Sequence, residues 1–139
     1  MHKLALRIEK VTNTFEDPAQ VYAFGVRNVL EAATQDRRWR QLLNRSEVIA
    51  DAMFRCMGPF AIRDLKNATL AGRFSATDAD LTWMMACYAI VGVSLAVSKD
   101  QQPLAVIDET VVRLLCMAGL SPQDAAELAA RPRPALPKD

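Results

Sequence analysis

The seventeen residues 81–97, LTWMMACYAIVGVSLAV, contain no charged side chain. A helix of that length extends about 25 Å, and a helix that is apolar on all sides has to be covered on all sides. A bilayer span needs about 20 such residues. The run is flanked by Asp80 and Lys99, and the sequence has no second run of this kind. We therefore predict a buried helix in a cytoplasmic protein, and no membrane contact.

Side-chain size divides this predicted helix into two faces. Small residues at spacings of four and three form one stripe, which consists of Thr82, Ala86, Ala89, Val93 and Ala96. The larger side includes Trp83, Met84, Cys87 and Tyr88. Small residues allow another helix to approach closely, whereas Met and aromatic side chains suit either a solid core or an adaptable cavity.

Composition limits the classes of function. A chain of 139 residues that is 51% hydrophobic is long enough for one folded domain with a real core. Its 17 basic and 16 acidic residues give a net charge of +1, so there is no general electrostatic case for nucleic-acid binding. One basic cluster, residues 37–40, surrounds Trp39, but no base-reading element accompanies it.

Residues that commonly perform catalysis or hold metals are scarce. His2 is the single histidine, and no phosphate-binding or dinucleotide-binding glycine motif is present. Cys56, Cys87 and Cys116 lie about thirty residues apart with no CxxC pair. We predict buried, reduced cysteines, no metal, no cofactor and no enzymatic activity, although absent motifs are weak evidence against unusual chemistry.

Apolar periodicity and capping residues predict helices throughout the chain. No segment alternates as a strand would, so the predicted fold is an all-α bundle of about six to seven helices. The predicted helices cover 2–15, 18–35, a short turn within 36–43, a segment from Ser46 to Gly72 that breaks or restarts at Gly58 and Pro59, Asp78 to Ser98, 104–118 and 122–130. Either Ser75 or Thr77, with the following acids, is expected to open the fifth of these. Residues 131–139, RPRPALPKD, are predicted to be a disordered tail.

Two apolar surfaces predict dimerisation. In the penultimate helix, residues at spacings of three and four form a near-heptad seam of Leu104, Ile107, Val111, Leu114 and Ala118. Together with the small stripe of residues 82–96, this seam predicts a homodimer interface, and Glu109 and Arg113 can pair on its outer side.

A ligand cavity is the second prediction. Met53, Phe54, Met57 and Phe60 lie on one segment, and Trp83, Met84, Cys87 and Tyr88 lie on the central helix. These flexible or flat side chains could line an apolar cavity, with Tyr88 as its polar group. Arg55 or Arg63, if either points inward, would select an acidic ligand. The alternative is that these residues only fill a solid core.

The order of several segments resembles the C-terminal ligand-binding and dimerisation domain of TetR-family transcriptional regulators. The segments are the DPAQ cap at 17–20, DRRWRQLL at 36–43, RDLKNATLAGRF at 63–74, the apolar helix, and TVVRLLCMAGLSPQDAAELAARPRPALP at 110–137. The resemblance implies that residues 1–130 form an effector-binding and dimerisation domain with a small-molecule effector. It also implies that dimerisation uses a four-helix bundle.

Members of this family usually carry a helix-turn-helix domain before the region of resemblance, whereas here only the predicted helix 2–15 precedes the DPAQ cap. The resemblance therefore implies DNA binding by a parent protein through a domain that these residues lack. The alternative reading is a small all-α dimerisation module without a ligand.

Overall fold

The computed structural model describes residues 1–138, which fold into seven α-helices. They are α1 His2–Thr12, α2 Pro18–Gln35, α3 Arg37–Arg40, α4 Ser46–Leu70, α5 Ala79–Ser98, α6 Val106–Met117 and α7 Pro122–Ala129, with a 3-10 turn at Leu43–Arg45. No strand occurs in the described part of the chain. The predicted all-α fold is confirmed.

Capping residues place several helix ends where the sequence predicts them. The carboxylate of Asp17 accepts a hydrogen bond from the Ala19 amide at 3.0 Å, and Pro18 fills the first position of α2. At the other ends, Gly72 (φ 77°) and Gly119 (φ 112°) adopt the left-handed conformation just beyond α4 and α6. These local signals are strong because each one satisfies groups that the helix itself leaves unpaired.

The start of α5 differs from the prediction. Neither Ser75 nor Thr77 caps it. The cap is Asp78, whose carboxylate accepts a hydrogen bond from the Leu81 amide at 3.0 Å. An aspartate at this position also interacts favourably with the positive end of the helix dipole, which favours it over the neighbouring hydroxyl groups.

The predicted break at Gly58 and Pro59 is wrong, because α4 continues through both residues. Proline leaves the carbonyl of Arg55 without its helical partner and costs about 3 kcal/mol in a helix interior. Packing of α4 along α2 and α5 offsets this cost. At the same place the indole nitrogen of Trp83 donates a hydrogen bond to the carbonyl of Phe54 at 3.3 Å, which ties α5 to this part of α4.

Only one face of α5 is covered. Its inner face packs against α2 and α4 and includes Trp83, Cys87 and Ile90, all of them buried. Its outer face leaves large apolar side chains exposed, which are Leu81, Met84, Met85 and Tyr88. We call these four residues the outer α5 face.

α5 is also long and apolar enough to cross a membrane, with a mean hydropathy of 1.8. A helix from the core of a folded domain can have the same length and hydropathy. These two properties alone are therefore weak evidence for a membrane span.

The segment after α7 runs along the protein surface without regular secondary structure. Arg131 donates a hydrogen bond to Asp17 at 2.7 Å, and Arg7 donates one to the carbonyl of Pro137 at 2.8 Å. Leu136 packs against the core. The disorder of residues 131–139 stays a prediction, and Asp139 lies outside the described residues.

Candidate ligand cavity

An apolar cavity lies where α1, α2, α4 and α5 meet. Its volume is about 30 Å³, enough for roughly one water molecule. Most of its wall is hydrocarbon, contributed by side chains that include Ile8, Val26, Val29, Met57, Phe60 and Trp83. Each of the four helices therefore contributes to the wall, and the periodic apolar faces of α1 and α2 bring their residues to it.

One end of the cavity is polar. Glu9 and Thr12 of α1 and Asp64 of α4 line it. Arg63 donates two hydrogen bonds to Asp64, from Nε at 3.1 Å and from Nη2 at 2.8 Å, and both reach the same oxygen, Oδ1. The guanidinium of Arg63 also pairs with Glu9. Among the described residues, no group donates to Oδ2 of Asp64.

Burial raises the pKa of Asp64 to about 6, against the opposing effect of the hydrogen bonds and charge of Arg63. The neighbouring carboxylate of Glu9 raises it further. The side chain is 13% exposed, so its charged form is poorly solvated. Asp64 can thus accept a hydrogen bond as a carboxylate at neutral pH or donate one as an acid at lower pH.

Tyr22 of α2 adds a further polar group to the cavity wall. Its ring is buried and packs edge-on against Phe74, with ring centroids 5.7 Å apart. Its hydroxyl is buried with no hydrogen-bond partner among residues 1–138. Burial raises its pKa well above the ordinary range, and the nearby acidic groups of Cys87 and Asp64 raise it further, so the group stays a neutral phenol.

The structure brings together three of the eight ligand-binding residues predicted from the sequence. Met57, Phe60 and Trp83 line the cavity. Met53 and Cys87 are completely buried, but they lie behind the wall as core residues.

The remaining three predicted ligand residues lie elsewhere. Phe54 is half-buried and lines a separate, more open groove along α4. Met84 and Tyr88 are 43% and 55% exposed on the outer α5 face, away from the cavity. Each follows an inward-facing residue by one position, a rotation of about 100° around the helix. Tyr22, and not the predicted Tyr88, therefore supplies the tyrosine hydroxyl of the cavity wall.

The arginines predicted to select an acidic ligand do not face the cavity. Arg55 is exposed and pairs with Asp51 at 2.9 Å. Arg63 is engaged by Glu9 and Asp64 at the rim. The two carboxylates exceed the one guanidinium, so the polar end is acidic overall, which opposes selection of an acidic ligand.

The cavity residues of α1 and α2 are not among the ligand-binding residues predicted from the sequence. The sequence does contain signals for these residues. Ile8 belongs to the apolar stripe of the first helix, and Tyr22 and Val26 lie on the inward face of α2. A phenol among inward aliphatic residues was the most specific of these signs, since a buried hydroxyl normally finds a partner.

The residues predicted to form the dimer interface also divide into buried core residues and residues nearer the surface. On α6, Ile107, Val111, Leu114 and Ala118 are buried within the domain, and Leu104 is exposed just before the helix. The predicted seam is therefore largely core. On α5, Ala86 is completely buried, whereas Thr82, Ala89, Val93 and Ala96 are half-buried beside the outer α5 face.

The prediction that all three cysteines are buried is wrong for Cys56, which is exposed on the solvent side of α4. Cys87 is buried, and burial raises its pKa to about 12. Cys116 is half-buried. An apolar neighbourhood in sequence did not reveal which side of the long α4 helix faces solvent.

Residues 17–131 match the family model described as "Tetracyclin repressor-like, C-terminal domain". The fold is similar to a crystal structure of RolR in complex with its ligand resorcinol, with a TM-score of 0.86 and 24% identity over 98% of this chain and 68% of that one.

A structure of RolR without ligand gives a TM-score of 0.81 and 26% identity over 94% of this chain and 67% of that one. No curated protein sequence matches significantly.

Proposed function

Because the chain belongs to the tetracyclin repressor-like C-terminal domains of the TetR family, we propose that it senses a small, mostly apolar effector for a transcriptional regulator. The observation that carries this proposal is the cavity between α1, α2, α4 and α5, whose apolar wall includes a few polar groups. Ligand sites typically combine these two properties.

A small aromatic molecule is the effector type that this wall favours. RolR, whose fold is similar, binds resorcinol. The cavity of about 30 Å³ is smaller than the ~150 Å³ that accommodates benzene, so ligand entry has to displace side chains. Met57 and Phe60 are the suitable ones, because Met adapts its shape readily and Phe60 is only half-buried.

A thermal-shift screen with resorcinol and other small aromatic compounds tests the proposal. A ligand at 100 times its Kd adds about 2.7 kcal/mol of apparent stability, which is readily detected as a rise in Tm. Ala61 lines the cavity, so Ala61→Leu fills it and should abolish the rise.

Ala68→Leu is the matched control, two turns further along α4 at a buried position outside the cavity wall. It should destabilise the core by overpacking but keep the ligand response. If no compound raises Tm and both variants are equally destabilised, the cavity is ordinary core and the ligand-free dimerisation module becomes the better reading.

Homodimerisation is the second part of the proposal. The outer α5 face, Leu81, Met84, Met85 and Tyr88, extends along the helix as exposed apolar surface, and the half-buried Thr82, Ala89, Val93 and Ala96 flank it. Soluble proteins rarely leave such a continuous surface without a partner. A second copy of the same face would cover it, in an interface expected to bury more than about 1,000 Å².

Charge insertion tests this interface. Tyr88→Glu places a carboxylate on the outer α5 face and should convert the dimer to monomer in sedimentation at micromolar concentration. Leu6→Glu is the control, because Leu6 is a similarly exposed apolar residue on α1, 44% exposed. Dimers that persist in Tyr88→Glu would place the interface elsewhere.

DNA recognition is not proposed for these residues. Their net charge is +1, and we expect no shift of duplex DNA at physiological salt. A sequence-specific complex formed by residues 1–139 alone would contradict this assignment.

A further inference from the structure

Two polar atoms of the cavity wall lack hydrogen-bond partners among the described residues. One is the hydroxyl of Tyr22, which is completely buried. The other is Oδ2 of Asp64, a side chain that is 13% exposed, because Nε and Nη2 of Arg63 both reach Oδ1. A buried hydroxyl without a partner destabilises the fold, because it has lost its hydrogen bonds to water. The buried hydroxyl of Tyr22 and the open Oδ2 of Asp64 together offer a ligand two hydrogen-bonding positions at one apolar cavity.

Arg63 is held in a position that leaves Oδ2 free. Its Nη2 is shared between Asp64 and Glu9, and its guanidinium lies 5.6 Å from the ring centroid of Phe60. Contacts from α1 and from a cavity-wall ring thus fix the guanidinium at the rim. It therefore neutralises part of the charge of Asp64 without occupying the second carboxylate oxygen.

The charged groups at the polar end of the cavity discriminate between classes of ligand. Glu9 and Asp64 would repel a carboxylate, and the Nε and Nη2 donors of Arg63 are already engaged by these two acids. A hydrocarbon would fit the apolar wall but offer no hydrogen-bond partner to Tyr22 or Asp64. A neutral molecule with an O–H group satisfies Asp64 by donating to Oδ2, and a second polar atom can pair with Tyr22.

We propose that the cavity selects neutral hydroxylated aromatic compounds, with Asp64 as the acceptor for a ligand hydroxyl and Tyr22 as a second hydrogen-bonding group. This inference rests on the proposed effector function and names the ligand class of that cavity. It differs from the prediction made from the sequence, in which Arg55 or Arg63, pointing inward, would select an acidic ligand.

Three compounds of similar size separate the possibilities, since toluene, phenol and benzoate differ only in a methyl, hydroxyl or carboxylate group. Calorimetric titration of the whole chain at pH 7.5 should show phenol binding at least tenfold more tightly than toluene. Benzoate should bind at least tenfold more weakly than phenol.

Two variants assign the polar roles. Asp64→Asn and Tyr22→Phe should each weaken phenol binding several-fold or more and leave toluene binding within about twofold, because toluene makes no hydrogen bond to either side chain. Asp51→Asn is the control for Asp64→Asn, since Asp51 is an exposed carboxylate on the same helix with an arginine partner. It should leave both affinities unchanged.

The outcomes are distinguishable. Toluene binding as tightly as phenol, or phenol affinity that neither variant lowers, overturns the selectivity but keeps the effector cavity. Tight benzoate binding also overturns it and would assign Arg63 to the ligand. If none of these compounds binds and the broader thermal-shift screen is also negative, the effector proposal itself fails. The wild-type series alone decides the inference if a variant does not fold.

Discussion

The carboxyl group of Asp64 should make the domain less stable as the pH rises from 4 to 7. Burial raises its pKa to about 6 in the folded protein, from an ordinary value of 3.8. Between these two values the folded state holds the proton and the unfolded state releases it. Stability falls with rising pH wherever the folded state binds more protons. The expected loss is therefore complete once the pH exceeds about 6.

The size of the effect follows from the same two values. The difference of about 2.2 units, from 3.8 to about 6, corresponds to about 3 kcal/mol at 1.36 kcal/mol per unit. The side chain keeps some contact with solvent, which reduces the expected value to about 2–3 kcal/mol. Asp64→Asn retains the shape of the side chain and removes this titration.

Urea unfolding at pH 4, 5, 6 and 7, at constant ionic strength and followed by tryptophan fluorescence, measures the effect. The difference in free energy of unfolding between Asp64→Asn and the wild type should shift by about 2–3 kcal/mol across this range in favour of the variant. Glu9→Gln, measured in parallel, separates the contribution of the carboxylate that faces Asp64 from α1. Asp51→Asn should stay within about 0.5 kcal/mol of the wild type throughout. Parallel profiles for wild type and Asp64→Asn would refute the reasoning.

Other predictions follow from burial. Cys56 should react rapidly with a thiol reagent in native protein, whereas Cys87 should react only after unfolding, as counted by mass spectrometry. Met53→Ala should destabilise the domain by about 2–5 kcal/mol in urea unfolding, and Met84→Ala should cost less than about 1 kcal/mol in the monomeric state. Gly119→Ala should lower Tm by several degrees, because φ is 112° and the added Cβ would lie 2.7 Å from the backbone nitrogen of Ser75.

Helix ends could be predicted from sequence where the capping group is local. Asp17, Gly72 and Gly119 each act within a few residues of the backbone groups that they affect, so no tertiary information was needed. Pro59 shows the limit of this approach. Its local preference is to break a helix, but packing of α4 against two other helices outweighs that preference, and those contacts are not visible in the sequence.

The cavity was only partly predictable for a related reason. An amphipathic helix shows its inner face by the period of its apolar residues, whereas α5 is apolar all round and gives no such contrast. Trp83 and Met84 are neighbours of similar hydrophobicity, yet one is buried and the other is 43% exposed. The polar end joins Glu9 and Asp64 from helices distant in sequence, and only the tertiary fold brings them together.

The uniform apolarity of α5 has a physical explanation in the two faces proposed here. Trp83 lines the cavity on the inner face, whereas Met84, the next residue, and Tyr88, one turn further along, lie on the outer α5 face. A ligand that displaces Trp83 also acts on its hydrogen bond to α4. Because α5 would belong to both the ligand site and the dimer interface, a shift of this helix changes both at once. Thermodynamic linkage then requires that dimerisation alter ligand affinity by the same factor by which the ligand alters dimerisation.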